Sequence, residues 1–361
     1  MKPIFKTQIL VILIVVLLSA SCKKDKNQPA ASTAKPVSLG LVQFGNNNNK
    51  RLFIPINKIG TQTVNYYGVF DTGSSGMTMD ANGILPASMI TSSGINVAGD
   101  SVLVNGITVT SQQAVISFGD KLNATKEYGN LAYAAVTVGD ANGNLVLKRI
   151  PFFLYYKILD SNGAQLPAHS SDVFGVGPGS SYANNAITSP LGFYTPEAGL
   201  TKGFRLSLLN SSGFSIAGTY TAGLLKVGLT AADLTSNSFV FHPLTYYTTG
   251  GYSPNIPATV TYNGTSTAAL VLFDTGTPSI TLIEDPKATT GVGSLPANSV
   301  VKVVTNQGFT YQYTTTAASN LTSIQNPNNT GDYRTIFSID FFINNEFLSD
   351  YTNHKIGLKN N

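Results

Sequence analysis

The stretches "FDTGSSGMTM" at residues 70–79 and "FDTGTPSITL" at residues 273–282 repeat one pattern within a chain of 361 residues. Phe-Asp-Thr-Gly opens each copy, a Ser or Thr follows, and a Thr between two apolar residues lies near the end. Each copy also follows directly on an apolar run, which is typical of a buried strand. The sequence therefore predicts that each half of the chain presents one aspartate, Asp71 or Asp274, from the end of a buried strand.

Two aspartates that meet at one site can carry out a specific chemistry. Like charges in close contact cannot both ionise cheaply, so the pair shares one proton. One carboxylate can then act as a general base on a trapped water, while the protonated one polarises a carbonyl and later protonates a leaving amine. If a twofold relation between the halves joins Asp71 and Asp274, the sequence predicts peptide hydrolysis that needs neither a metal nor another cofactor.

Six residues around the aspartates are predicted to hold the pair in place. A Gly two positions after each aspartate permits the backbone geometry of a tight turn. The Thr after each aspartate can reach across to the opposite loop, and the hydroxyl residue three positions on can bond the outer carboxylate oxygen. A single Asp-Thr-Gly is a common turn, but two copies in matched contexts favour a functional pair. The six residues are Thr72, Gly73, Ser74, Thr275, Gly276 and Thr277.

The composition predicts a mostly-β globular protein. Apolar residues make up 42 % of the chain and charged residues 11 %, with 34 Gly, 17 Tyr and 19 Phe, and strand-and-turn patterns outnumber amphipathic helical ones. The formal net charge is +4, and after residue 26 no basic run is interleaved with aromatics, which argues against a nucleic-acid partner. His169, His242 and His354 stand apart from any zinc-binding pattern, so no metal site is predicted.

The N-terminus has the pattern of a bacterial lipoprotein. Residues 1–21 combine a basic start, an apolar run and small residues, as in a secretory signal peptide, and Cys22, the one cysteine, stands at the position that carries lipid. Residues 22–38 are expected to be a flexible tether, followed by an N-terminal lobe at 39–200 and a C-terminal lobe at 201–361. We expect an exported protein, lipid-anchored to the bacterial outer membrane through buried acyl methylenes.

Several segments resemble the pepsin-type aspartic proteases. Besides the double FDTG, "EYGNLAYAAVTVG" at 127–139 is similar to the family's flap hairpin, with Tyr128 and Gly129 at its tip. "SDVFGVGPGSS" at 171–181 is similar to the apolar-apolar-Gly segment that supports the first aspartate loop, and residues 355–358 resemble the family's ending. The resemblance implies a bilobal all-β fold with two pseudo-symmetric barrel-like lobes and a cleft between them. It also implies a monomeric aspartic endopeptidase that cleaves extended peptides.

Three departures from the family pattern keep an alternative open. Ser338 replaces Gly in the second apolar-apolar-Gly segment, where a side chain could crowd the second aspartate loop, and Pro278 replaces a small hydroxyl residue. The chain also has no Trp, so the usual partner of the flap tyrosine is missing. The alternative is a catalytically inactive protein on the same fold that binds peptides or glycans at the cell surface.

Overall fold

The computed structural model describes residues 34–46, 48–121, 123–141, 143–235, 238–288 and 293–361. The predicted signal peptide, Cys22 and most of the predicted tether lie outside these residues. Within the described part of the chain, no helix is both long enough and apolar enough to cross a membrane.

Strands dominate the regular structure, as the composition predicted. The strands of the first half are β1 Val37–Asn46, β2 Asn49–Ile59, β3 Gln62–Asp71, β4 Ser75–Asp80, β5 Ile90–Thr91, β6 Gly94–Ile95, β7 Ser101–Val104, β8 Ile107–Phe118, β9 Thr125–Asp140, β10 Gly143–Leu159 and β11 Val173–Val176. Those of the second half are β12 Thr201–Leu206, β13 Thr219–Leu229, β14 Val240–Pro243, β15 Tyr246–Tyr247, β16 Gly251–Tyr252, β17 Ile256–Tyr262, β18 Thr265–Phe273, β19 Ile280–Glu284, β20 Gly293–Ser294, β21 Val300–Thr305, β22 Thr310–Thr314, β23 Leu321–Gln325, β24 Arg334–Phe337, β25 Asn345–Asp350 and β26 Lys355–Asn360.

Helical segments are short. The α-helices are α1 Ala231–Thr235, α2 Pro327–Thr330 and α3 Phe341–Asn344, and single 3₁₀ turns occupy Ala87–Met89, Pro190–Phe193 and Ser211–Gly213.

Two large sheets organise the described strands. The larger has the order β14-β26-β25-β12-β13-β1-β2-β3-β11-β4-β10-β9-β8-β7, and the smaller has the order β20-β23-β19-β24-β18-β17-β21-β22. β2 also pairs with β9, so the larger sheet curls back on itself in the way that closes a barrel.

The strands that carry the two motifs have the same topology. β11 is inserted between β3 and β4, parallel to the first and antiparallel to the second. β24 is inserted in the same way between β18 and β19. A further parallel strand flanks each set, β10 beside β4 and β23 beside β19. Each FDTG therefore lies at the end of a central strand, and the two halves present it in equivalent positions.

Buried aromatic residues fix the strands that precede the motifs. Phe70 packs edge-on against Phe204, with ring centroids 5.6 Å apart. Phe273 packs against Phe337 at 5.4 Å and against Phe341 at 4.2 Å. All five rings are at most 2 % exposed. Burying rings of this size is a large share of core stability, so the residue before each aspartate is held rigidly.

The sequence-based boundaries differ from the structure at one point. The tether was predicted to end at residue 38, but β1 already begins at Val37, which is paired with Val227 of β13. The pairing of β1 with β13 also carries the larger sheet across the predicted lobe boundary near residue 200. The division into lobes at 39–200 and 201–361 stays a prediction.

Candidate active site

The backbone around each aspartate is fixed by the inserted strand. Asp71 ends β3 and lies in register with Gly175 of β11. Asp274 directly follows β18, and its N–H donates to the carbonyl of Phe337 in β24 at 2.9 Å. Each aspartate thus leaves a strand that is paired on both sides. This placement gives the two carboxyl groups little conformational freedom.

The structure brings Asp71 and Asp274 into one site. Both are 8 % exposed, and both line the same cavity of about 780 Å³. A Cβ atom placed on Gly73 would lie 2.6 Å from Cγ of Asp274, and one placed on Gly276 would lie 2.6 Å from Cγ of Asp71. Each carboxyl group is therefore packed against the glycine of the opposite loop.

That packing changes the role of the two glycines. The sequence predicted that they permit an unusual turn geometry, but neither has a positive φ. Any residue could adopt their backbone conformation. Glycine is needed at these positions because no other residue leaves room for the opposing carboxyl group.

Hydrogen bonds orient both carboxyl groups. Asp71 Oδ1 accepts from the N–H groups of Gly73 at 2.7 Å and Ser74 at 2.9 Å, and its Oδ2 accepts from Ser74 Oγ at 2.6 Å. Asp274 Oδ1 accepts from the Gly276 N–H at 2.7 Å, and its Oδ2 accepts from Thr277 Oγ1 at 2.6 Å. The predicted hydroxyl partners of both aspartates are thus in place.

The two threonines tie the loops together across the site. The Thr72 N–H donates to Thr275 Oγ1 at 3.1 Å, and the Thr275 N–H donates to Thr72 Oγ1 at 3.0 Å. Thr72 Oγ1 in turn donates to the Phe273 carbonyl at 2.8 Å, and Thr275 Oγ1 to the Phe70 carbonyl at 2.5 Å. These reciprocal bonds are buried and join residues from opposite halves. They hold the two aspartates in a fixed mutual geometry.

The electrostatics of the pair favour a shared proton. Burial, together with the charge of Asp274 and a side-chain hydrogen bond to it, raises the pKa of Asp71 to about 8. Bonds from the hydroxyl and N–H of Ser74 oppose this rise. Asp71 therefore keeps its proton at neutral pH, as expected when two carboxyl groups lie close together.

Arg51 is a neighbour of the pair that the sequence did not predict. It lies in β2, is half-buried, and donates from Nη1 to the carbonyl of Gly276 at 2.8 Å. Burial lowers its pKa, while the charges of Asp274 and Asp71 act in the opposite direction. Arg51 thus holds the second aspartate loop by this hydrogen bond and places a cation near two acids. β2 carries two further basic residues, Lys50 and Lys58, so the local pattern does not single out Arg51.

The flap prediction was wrong about its tip. Tyr128 pairs with Val115, and Gly129 with Ala114, inside the β8–β9 ladder. The Tyr128 ring lies under Lys157 Nζ at 4.3 Å, and neither Tyr128 nor Gly129 lines the cavity.

The described residues between β8 and β9, at the tip of this hairpin, are instead 119–121 and 123–124. Gly119 has a φ of +105°, which favours glycine. Gly129 serves close packing, because a Cβ there would lie 2.3 Å from the carbonyl oxygen of Leu154. Phe118, Gly119, Asp120 and Asn123 line the cavity. The hairpin that matches the predicted flap is therefore β8–β9. Its aromatic residue that lines the cavity is Phe118, not Tyr128.

The hairpin tip contacts the second half of the chain across the cavity. The Lys121 N–H donates to the carbonyl of Thr330, at the end of α2, at 3.1 Å. On the opposite wall, Tyr247 and Tyr252 line the cavity, and Tyr252 stacks on His354 with ring centroids 3.6 Å apart. The cavity is thus roofed by the hairpin and flanked by aromatic residues.

The strands inserted beside the two aspartates, β11 and β24, differ in the space they leave for a side chain at the position opposite the aspartate. A Cβ on Gly175 would lie 2.6 Å from the carbonyl oxygen of Gly76 and 2.8 Å from Ser74 Oγ. Ser338, at the equivalent position, is wholly buried, and its Oγ has no hydrogen-bond partner among the described residues. Asp274 keeps its backbone bond to Phe337 beside it. The second aspartate loop therefore keeps its backbone pairing beside Ser338.

Gly175→Ala and Ser338→Ala are expected to have opposite effects on stability. The first adds a methyl group against Ser74 and should lower the free energy of unfolding by roughly 1–3 kcal/mol, as overpacking does. The second removes a buried hydroxyl without a partner and should be neutral or stabilising by up to about 1 kcal/mol. Urea unfolding of both variants checks this. An equal fall in the free energy of unfolding of both variants would contradict the predicted difference between the two positions.

No metal centre is indicated in the described part of the chain, where no group of three or more His, Cys, Asp or Glu residues is arranged to hold an ion.

Comparison with known proteins identifies the fold. A scan against protein-family models gave no match, and a search of curated proteins gave none. Among solved structures, the chain is similar to an aspartic proteinase from Irpex lacteus, with a TM-score of 0.56 and 15 % identity over 90 % of this chain and 97 % of that one. It is similar to conglutin gamma, a basic 7S globulin from lupine seeds, with a TM-score of 0.56 and 14 % identity over 91 % and 96 %.

A basic 7S globulin from soybean gives a TM-score of 0.54 and 10 % identity over 90 % of this chain and 96 % of that one. Identities this low show the fold alone. Together with the two large sheets and their repeated topology, the likenesses establish that this chain has the bilobal, all-β fold of the pepsin-like proteins.

Proposed function

We propose that this protein is an aspartic endopeptidase whose catalytic residues are Asp71 and Asp274. The observation that carries the proposal is the buried carboxyl pair, in which each carboxyl group packs against the glycine of the opposite loop. A protein that only binds peptides does not require two acids held this closely. The reciprocal Thr72–Thr275 bonds supply the rigid positioning that acid–base catalysis needs.

The proposed reaction uses the shared proton of the pair. The ionised carboxyl group takes a proton from a water molecule, whose oxygen attacks the peptide carbonyl carbon. The protonated carboxyl group donates a hydrogen bond to the carbonyl oxygen, on which negative charge develops. A proton then passes to the leaving nitrogen as the C–N bond breaks, and the pair returns to its singly protonated state. No covalent intermediate and no cofactor take part.

The proposed substrate is an extended peptide segment. A cavity of about 780 Å³ can hold several residues, and the hairpin roof offers strand edges for backbone hydrogen bonds. Phe118, Tyr247 and Tyr252 supply apolar contacts along the walls. We also propose a monomer, exported and lipid-anchored through Cys22 to the outer membrane, with peptides or proteins as its partners. Export and the lipid anchor rest on the sequence pattern of residues 1–22.

The test is hydrolysis of a mixed peptide library, followed by mass spectrometry of the products. We expect cleavage at acidic to neutral pH, competed by a statine-type inhibitor, whose hydroxyl group mimics the attacking water. Metal chelators should leave the rate unchanged. A folded protein that cleaves no library peptide between pH 3 and pH 7 would overturn the proposal.

The pH dependence of the rate follows from the raised pKa of Asp71. Because that pKa lies at about 8, the shared proton is kept below pH 8 and lost above it. We expect kcat/KM to fall above about pH 8 by roughly tenfold per pH unit, the slope of a single ionisation. A profile measured from pH 3 to pH 10 on a peptide without titratable side chains checks this. A rate that still rises beyond pH 9 would contradict a proton-sharing pair.

A second candidate is a non-catalytic protein that binds peptides or glycans on the same fold. It is favoured by the similarity to two 7S globulins. Binding of library peptides without any product, unchanged by Asp71→Asn, would support this candidate over the first.

A further inference from the structure

Glu284 is a buried acid on the cavity wall that the proposed reaction does not use. It ends β19, is 4 % exposed, and lies among the residues that line the cavity. Its Oε1 accepts from Thr330 Oγ1 at 3.0 Å. Its Oε2 is shielded from solvent and has no hydrogen-bond partner among the described residues. A buried carboxylate oxygen without a donor is costly, so this atom calls for a ligand that supplies one.

The approach to Glu284 is apolar. Leu272 of β18, Leu282 of β19 and Ile336 of β24 line the cavity on the same sheet; Leu272 and Leu282 are both paired with Ile336. Gln325 of β23, in register with Glu284, adds a second polar group at the far end. The wall thus runs from the catalytic pair across aliphatic side chains to a polar floor.

The charges around this floor are predominantly negative. Asp332 and Asp120 both line the cavity, and both act on Glu284, although burial is the larger cause of the rise of its pKa to about 7. Asp332 is held by Arg334, whose Nη2 lies 2.7 Å from Oδ2. The guanidinium group of Arg334 is therefore already engaged by Asp332, and Lys121 is a second cation near Asp120 and Asp332.

The hairpin tip encloses the same region. Lys121 N–H donates to the carbonyl of Thr330, and the hydroxyl of Thr330 donates to Glu284. Asp120, the neighbour of Lys121, belongs to that tip. The hairpin tip would cover the side chain of a ligand bound against Glu284. Because solvent screens charges weakly in such a covered site, the interaction of that side chain with the Glu284 carboxylate would be strong.

We propose that Glu284 forms the floor of a specificity subsite for a substrate side chain that is aliphatic along its length and cationic at its end, as in lysine or arginine. The inference rests on the proposed function for its biological role, but the binding preference itself does not require hydrolysis. Leu272, Leu282 and Ile336 pack along the methylene stem, and Glu284 accepts the terminal hydrogen bond. A small rotation of the Glu284 side chain turns Oε2 toward the cavity, and the cation then supplies the donor that this atom lacks.

The experiment compares peptides that cannot be cleaved, because binding then reports the subsite whether or not the protein is an enzyme. Peptides with a reduced amide at the central bond carry lysine or norleucine at each position in turn, and Kd is measured by calorimetry at pH 8. We expect one position at which lysine binds roughly 10- to 100-fold more tightly than norleucine, the size of a hydrogen bond to a charged group. Glu284→Gln should reduce that ratio to about threefold or less. Glu197→Gln, on an exposed glutamate elsewhere, is the matched control and should keep the ratio.

The wild-type protein offers a second measurement that needs no substitution. Since the pKa of Glu284 lies at about 7, its carboxyl group is protonated below that pH and no longer attracts a cation. The lysine preference should therefore weaken as the pH falls from 8 to 5. Equal Kd values for lysine and norleucine at every position, or a preference that survives Glu284→Gln, would overturn the subsite. If the wild-type protein hydrolysed no library peptide but kept the lysine preference, the proposal of an endopeptidase would be overturned and the proposal of the subsite would stand.

Discussion

Asp71→Asn and Asp274→Asn are each expected to lower kcat/KM for the best library peptide by roughly 10⁴-fold or more, the order seen when one member of a catalytic unit is removed. An amide in place of either acid can neither take a proton from water nor pass one to the leaving amine. Because the two carboxyl groups act as one unit, the double variant should be no slower than the slower single variant. Steady-state kinetics on the three variants checks both statements.

The melting temperature of Asp71→Asn shows whether this variant is folded when its activity is measured. The raised pKa of Asp71 means that the folded state keeps this proton up to about pH 8, while the unfolded chain releases it near pH 4. The free energy of unfolding therefore falls progressively as the pH rises from about 4 to about 8. The amide that Asp71→Asn introduces carries no charge and is able to donate to Asp274. We therefore expect Asp71→Asn to melt a few degrees above the wild type at pH 9, and at about the same temperature at pH 4. Turnover that persists in either single variant would remove the pair from the mechanism.

Gly73→Ala is expected to reduce kcat/KM by roughly 10²- to 10³-fold with little change in backbone conformation, since φ at Gly73 is available to alanine. The added methyl group would occupy a position 2.6 Å from Cγ of Asp274, so the opposite carboxyl group must move. Displacing a reacting group by an ångström or less costs rates of this order. Gly276→Ala should have the same effect through Asp71.

Gly192→Ala is the matched control for this pair. Gly192 also lacks a positive φ, and a Cβ there would have no atom within 4 Å. Its variant should retain the wild-type rate, and circular dichroism should show that all three variants keep their strands. If Gly73→Ala were as active as Gly192→Ala, the close approach of the two loops would be disproved.

Features that depend on short-range interactions were the ones predicted correctly from the sequence. The strand before each Asp-Thr-Gly and the hydroxyl partners of the aspartates were predicted, because both depend on residues within a few positions. The hairpin tip was misplaced by several residues, because Tyr128-Gly129 matched the family pattern while Gly119 supplies the turn. The reason for Gly73 and Gly276 was also misjudged, since the atoms that exclude a side chain there belong to the other half of the chain.

Residues contributed by distant strands were the ones that the sequence could not reveal. Arg51 of β2 reaches the site only through its hydrogen bond to Gly276 of the second loop. Glu284 becomes a cavity residue only because β19 pairs with β23 and α2 follows that strand. Each looks like an ordinary surface charge when its own neighbours are read alone.

The amino-acid sequence by itself determined that two equivalent strand–turn units exist and that each ends in an aspartate, because strand burial and turn chemistry are local. Only the tertiary structure decided that the two carboxyl groups meet in one cavity, which acid lies in that cavity beside them, and which segment covers both. Those properties depend on distances between residues that lie far apart in the chain, and packing alone sets such distances.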